Sequence, residues 1–298
     1  MCRGDTSLVI EQHTVWRATR TPEGPATLRV RDRAGGTVWD ASPVIDVVAW
    51  GPGARWAVAQ SPELLGLHDD DPDDVQAALP EGIVREAHRR HRAKRIGATR
   101  SVTESIIPTI LAQKVTSAEA IRAYRGLARR YGAPAPGPAG AHGLRLRPDP
   151  AALARLPYYE LHRFGVERRR ADTIRRTCAR AARLDALAAA PATGALVAAA
   201  GPARQVLASL PGIGPWTTAI IAQQAFGDPD AVIVGDFHLP NIVAWNLVGE
   251  PRATDERMLE LLEPYRGQRG RAVDLIGRVG TMAPRFGPRH ELRSIAAI

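Results

Sequence analysis

The chain has 298 residues, 45% of them hydrophobic, which is enough to bury a large core and to form two domains. Its formal net charge of +9 and pI near 10.4 suit a polyanionic partner, although only two of the 40 basic residues are lysine (Lys94 and Lys114), so part of the charge reflects an arginine-rich composition. No apolar run approaches the ~18–20 residues that span a bilayer, and no signal-peptide stretch opens the chain. Cys2 and Cys178 make neither a disulfide framework nor a four-thiolate cluster site, so a cytoplasmic, membrane-free protein is expected.

Residues 1–75 alternate in polarity. Ser7–Ile10, Thr27–Arg31, Thr37–Trp39 and Val44–Trp50 read as strands, Arg33–Gly36 as a hairpin turn, and Ala54 to about Leu65 as a helix. Four of the six tryptophans (Trp16, Trp39, Trp50, Trp56) fall here and read as an aromatic core. The acidic run Asp69–Asp74 lacks the glycine and terminal glutamate of a calcium loop and reads as a solvated linker with a helix cap. Beyond it the chain turns helical. Val84 to about Arg95 reads as an exposed basic face; His88 and His91 have no third ligand nearby and make a poor zinc site.

Ser101–Tyr131 reads as two helices. Ile106, Ile107, Ile110, Leu111 and Val115 form one apolar face, with Pro108 as a kink or a sign of a later start. Thr116 and Glu119 form a capping box for the second helix, which Gly132 closes. Residues 133–150 are a Pro/Gly/Ala linker or excursion, and a long basic helix runs from about Glu167 to Ala188. Helices are also expected from Pro202, from Pro240 through Leu247, over Asp255–Glu263 after a Thr254 cap, and over Gly270–Val279. Ala231–Val234 is the only strand-like stretch after Ser101. The expected architecture is mainly α: a mixed α/β domain over 1–78 and a helical domain over 79–298, its central hairpin at 203–226.

That hairpin is Leu210-Pro211-Gly212-Ile213-Gly214, and a helix follows from about Pro215. Glycines let its backbone turn tightly and approach another molecule, and the helix start favours an anion such as phosphate. Asp236 arrives 22 residues after Gly214. Asp228 and Asp230, in Gly-Asp-Pro-Asp, read as turn chemistry.

Leu210–Ala219 (LPGIGPWTTA) followed by Asp236, together with the stretch IIPTILAQKVT, resembles the helix-hairpin-helix DNA glycosylases, and within them the 3-methyladenine DNA glycosylase II branch. The resemblance implies a two-lobed helical body with its active site in the cleft between the lobes, bound to double-stranded DNA as a monomer. It implies that Gly212, Gly214 and Thr217 grip a backbone phosphate, with K+ or Na+ on carbonyls near Leu210 and Ile213 and no other cofactor. Asp236 is then the catalytic carboxylate, which stabilises positive charge developing on the deoxyribose and orients water. Bifunctional relatives carry a lysine nucleophile immediately before Thr217, where this chain has Trp216. Excision without strand cleavage is therefore expected, and the two cysteines cannot hold the iron–sulfur cluster of several lyase relatives.

A flipped base needs rings to stack on. Trp216 and Phe237 are the candidates, with Gln113 beside them in the base pocket; Trp245 reads as core or pocket. Lys114 stands where relatives place an apolar wedge, and its methylene stem can fill space. Relatives tend to carry further rings at Ile220 and near Gly277, so a roomier pocket for a bulky or deaminated purine is an alternative, as is a non-catalytic DNA-binding protein. His238 can contact phosphate, orient water or pack the helix start.

Overall fold

The computed structural model describes residues 5–33, 44–140, 143–189 and 195–284. Four antiparallel strands, β1 (Leu8–Glu11), β2 (Thr14–Thr21), β3 (Gly24–Asp32) and β4 (Ile45–Trp50), pair in sequence order. Helices follow: α1 (Ala54–Ala59), α2 (Ser61–Leu64), α3 (Pro72–Ala78), α4 (Ile83–Arg90), α5 (Val102–Leu111), α6 (Ser117–Tyr131), α7 (Pro150–Arg155), α8 (Tyr158–His162), α9 (Arg168–Cys178), α10 (Ala181–Asp185), α11 (Ala195–Ala208), α12 (Pro215–Phe226), α13 (Leu239–Val248), α14 (Asp255–Leu262) and α15 (Arg269–Val279). The protein is mainly α with a small mixed α/β N-terminal part, as expected. No helix among the described residues is long and apolar enough to cross a membrane. The chain divides into two compact units, Met1–Pro62 with Ile107–Arg183 and Glu63–Ile106 with Leu184–Glu291.

In the first unit β2 is central, between β1 and β3, and was not expected as a strand. Its neighbouring residues Arg17, Ala18 and Thr19 are all buried, as are Ala26, Thr27 and Leu28 of β3. A sheet covered on both faces loses the alternation that marks a strand in sequence. Ala18 packs with Ala135, Ala139, Leu144 and Leu146, so the Pro/Gly/Ala stretch is a sheet-covering excursion and not a linker. Thr37–Trp39, most of the Arg33–Gly36 turn and Cys2 lie outside the described residues.

The capping box forms as expected: the Thr116 hydroxyl accepts from Glu119 N–H, and the Glu119 carboxylate accepts from Thr116 N–H. Arg170, within the basic run, turns inward. It is 6% exposed; Nη1 donates to the Leu111 carbonyl at 2.8 Å and Nη2 to the Gly165 carbonyl at 3.2 Å. Cationic donors suit the carbonyl end of a helix, and Arg170 thereby closes α5. The basic run is also shorter than expected, since α9 ends at Cys178.

The second unit has a core that includes Val84, Val243, Met258, Leu262, Leu275 and Ile276. Its α5 segment is fastened by Asp185, which accepts from Thr103 N–H at 2.8 Å and from the Ser101 hydroxyl at 3.2 Å. Pro108 proves internal to α5. Three expectations fail here. His88 is 3% exposed, with Nδ1 and Gln76 Oε1 2.8 Å apart, so it is a core residue and no part of a basic face. Burial, with Arg271 and Arg92 nearby, holds its imidazole below the usual pKa, because charging it would leave a cation out of water beside two others. Asp69 is not solvated: it pairs with buried Arg271 and accepts from Ile96 N–H at 2.8 Å, while Asp71 does cap α3 as expected. Pro202 lies inside α11 and does not open it.

Candidate active site

α11 and α12 pack together and are joined by the glycine hairpin. Ile213 N–H donates to the Leu210 carbonyl at 3.0 Å, which closes the turn, and the Ile213 side chain is buried beneath it. Gly212 has φ +91, a left-handed conformation that glycine adopts without strain. Gly214 is different. It is extended at φ −106 and ψ −177, and a Cβ there would meet no described atom within 4 Å. An added methyl group would therefore meet nothing in the described fold at that position. Pro215 follows as the first residue of α12. Thr217, the third residue of α12, is buried as a whole residue at 1% exposure.

The segment after α12 brings in the acid. Ala231–Val234 is not a strand: it runs as a loop with Ala231 and Val232 buried, and the Ala231 carbonyl accepts from Gln223 Nε2 at 2.7 Å. Asp230 is occupied structurally. Its carboxylate accepts from the backbone N–H groups of Gly267 and Arg269 at 2.8 and 3.0 Å and pairs with the Arg269 guanidinium. Burial raises its pKa, but those donors outweigh it and hold the group below the usual carboxylate range. The turn chemistry belongs to Asp228, whose Oδ1 accepts from Asp230 N–H at 2.9 Å, while the Asp230 carboxylate is a tie across the fold.

Asp236 is held otherwise. Oδ1 accepts from the backbone N–H groups of His238 and Leu239 at 2.8 and 3.0 Å, at the positive end of α13. Oδ2 is 3.4 Å from the Trp216 indole Nε1, the outer limit of a hydrogen bond, and no other donor among the described residues reaches it. One oxygen thus fixes the carboxylate and the other faces the half-buried indole. Gly235, at φ +80, precedes it; its N–H donates to Asp255 Oδ2 at 2.8 Å, and a Cβ there would come to 4.0 Å from Trp216 Cβ. Asp255 was not singled out in the sequence.

Phe237 is 80% exposed, its ring edge-to-face with His238 at 4.9 Å. An apolar ring in water beside a fixed carboxylate is a ready stacking platform. Trp245 is half-buried, and its Nε1 donates to the Thr281 hydroxyl at 3.0 Å, a structural tie. Gly277 of α15 is exposed with open space around it.

Gln113 and Lys114 belong to the other unit. Lys114 is exposed and has φ +55, a conformation uncommon for a residue with a side chain. Two clamps bracket it: Arg170 on the Leu111 carbonyl before, and the Thr116–Glu119 capping box after. A strained, exposed residue between rigid supports is where function concentrates.

Residues 107–266 match the family described as HhH-GPD superfamily base excision DNA repair protein. The chain belongs to this superfamily. Over 188 residues it is 31% identical to the "Probable bifunctional transcriptional activator/DNA repair enzyme AlkA" of Mycobacterium tuberculosis, covering 61% of this chain and 35% of that one. The chain thus spans about a third of the length of the curated relatives it matches. A 3-methyladenine DNA-glycosylase from Archaeoglobus fulgidus superposes with a TM-score of 0.69 at 18% identity, over 92% of this chain and 89% of that one. An 8-oxoguanine glycosylase/lyase from Clostridium acetobutylicum, solved with double-stranded DNA, gives 0.60 at 11% identity, over 91% and 97%. Both share the fold.

Proposed function

We propose that this chain is a monofunctional DNA glycosylase that hydrolyses the N-glycosidic bond of alkylated purines of the 3-methyladenine and 7-methylguanine type in duplex DNA. The observation that carries the reading is the pair Asp236 and Trp216. A carboxylate fixed through one oxygen offers the other to a developing oxocarbenium ion, and an indole stands where bifunctional relatives carry a lysine. The Archaeoglobus protein of the same fold is a 3-methyladenine DNA-glycosylase and the Mycobacterium relative a probable DNA repair enzyme, and both support the reading.

In this reaction water adds to C1′ and gives up a proton to the Asp236 carboxylate as the C1′–N bond breaks, and the bonding electrons leave with the base. An alkylated purine carries positive charge in the bound state and departs neutral, so no second acid is required. Asp236 stabilises the sugar cation and orients the water. Phe237 and Trp216 stack the extruded base, and Lys114 fills the gap it leaves. The hairpin backbone at Gly212, Gly214 and Thr217 takes the phosphate. Hard carbonyl oxygens at Leu210 and Ile213 suit K+ or Na+, although the Leu210 oxygen already accepts the Ile213 N–H. A cation there would neutralise part of the phosphate charge.

The open surroundings of Gly277 favour, as a second reading, a bulkier purine lesion. Randomly methylated duplex DNA tests the first. Free 3-methyladenine and 7-methylguanine should appear, the abasic strand should stay intact until alkali is added, and borohydride should trap no covalent complex. Release only from DNA bearing bulky or deaminated purines supports the second reading, and release from neither leaves a DNA-binding protein.

A further inference from the structure

We infer that Asp255 is a positioning residue for Asp236, holding the catalytic loop by its carboxylate from the start of α14. Its Oδ2 accepts from Gly235 N–H at 2.8 Å, and Gly235 is the residue immediately before Asp236. This role presupposes the glycosylase reading, in which Asp236 is the reacting carboxylate.

The local demands of α14 do not explain this aspartate. Thr254 already caps the helix, its hydroxyl accepting from Arg257 N–H at 3.3 Å. Proline or glutamate would suit the first turn as well. The other carboxylate oxygen, Oδ1, is buried with no hydrogen-bond partner among the described residues. A buried acceptor left unpaired is unfavourable, and an apolar side chain would avoid it. What the side chain supplies is an acceptor for one amide across 20 residues of chain.

That amide matters because of where it lies. On the C-terminal side Asp236 is secured by the His238 and Leu239 amides. On the N-terminal side its neighbour is a glycine at φ +80, the residue type with the widest backbone freedom. Without Asp255, Gly235 can rotate and carry the Asp236 backbone with it. The Oδ2–indole contact, already 3.4 Å long, is the first to be lost. A displacement of about 1 Å at a reacting group lowers its rate on the order of 100-fold.

Asp255→Ala and Asp255→Asn separate this role from others, since asparagine keeps an acceptor for Gly235 and discards the charge. In single-turnover release from methylated duplex DNA, Asp255→Ala should be about 10- to 100-fold slower than the parent. Duplex affinity should stay within about twofold, and Asp255→Asn should recover most of the rate. The Gly235 amide resonance should move upfield and exchange faster in Asp255→Ala alone. Parental rates in Asp255→Ala overturn the proposal. So does an Asp255→Asn protein as slow as the alanine variant, which would make the charge the active feature. Loss of melting temperature and duplex affinity in step with rate overturns it in favour of a folding role. A parent protein that releases no base refutes the glycosylase reading itself, whatever the Gly235 resonance does.

Discussion

The two ends of the loop between α12 and α13 carry aspartates six residues apart, and they are treated in opposite ways. Asp230 spends both oxygens on the fold, with two backbone amides and the Arg269 guanidinium around it. Asp236 spends one. Its second oxygen meets only a distant indole N–H among the described residues, beside an exposed phenylalanine. The same side chain, in the same loop, is a structural staple at one end and, in the proposed reaction, the reagent at the other. The difference is the number of donors supplied to it.

Substitutions can break that contrast. Asp236→Asn should remove base release by at least about 10³-fold, the scale on which preorganised charge acts. Asparagine caps helices as well as aspartate, so its melting temperature and duplex affinity should match the parent. A mutant that unfolds instead would show that Asp236 too is a staple. Asp230→Ala should do the reverse, lowering unfolding free energy by about 2 kcal/mol through lost charged hydrogen bonds, with release falling only as folded protein is lost.

The two ends should also differ in acid. Because Asp230 titrates below its unfolded value, its contribution is present above about pH 4 and is lost as pH falls through the lower folded value. The gap in melting temperature between parent and Asp230→Ala should therefore narrow as pH falls below about 4. The smallest effect is expected at Phe237. Its alanine variant should slow release about tenfold, within the 1–3 kcal/mol of base–aromatic stacking. Its stability should stay within about 0.5 kcal/mol, since the ring is 80% exposed.

Much of this was legible in sequence because the signals are local. A capping box spans four residues, a glycine hairpin five, and the Thr254 cap of α14 acts within its own first turn. The start of α12 at Pro215 was placed by such a pattern. Missed features depend on what lies across the fold. β2 hides because both faces of its sheet are covered, although Pro22-Glu23-Gly24 marked its turn. His88 and Arg170 sit in arginine-rich runs whose average character is solvated, and only tertiary packing singles out the one residue that turns inward. Asp255 looks like any acidic residue in a first turn; nothing in its neighbours announces a bond to Gly235.

Gly214 points to a different kind of information. Its backbone is extended and its surroundings are open, so alanine there should leave the protein's own folding untouched. The added methyl would be felt only by a surface that arrives later. A silent substitution of this kind separates assembly of the protein from its encounter with a duplex, and turns one hydrogen-for-methyl exchange into a gauge of how closely the sugar–phosphate strand comes.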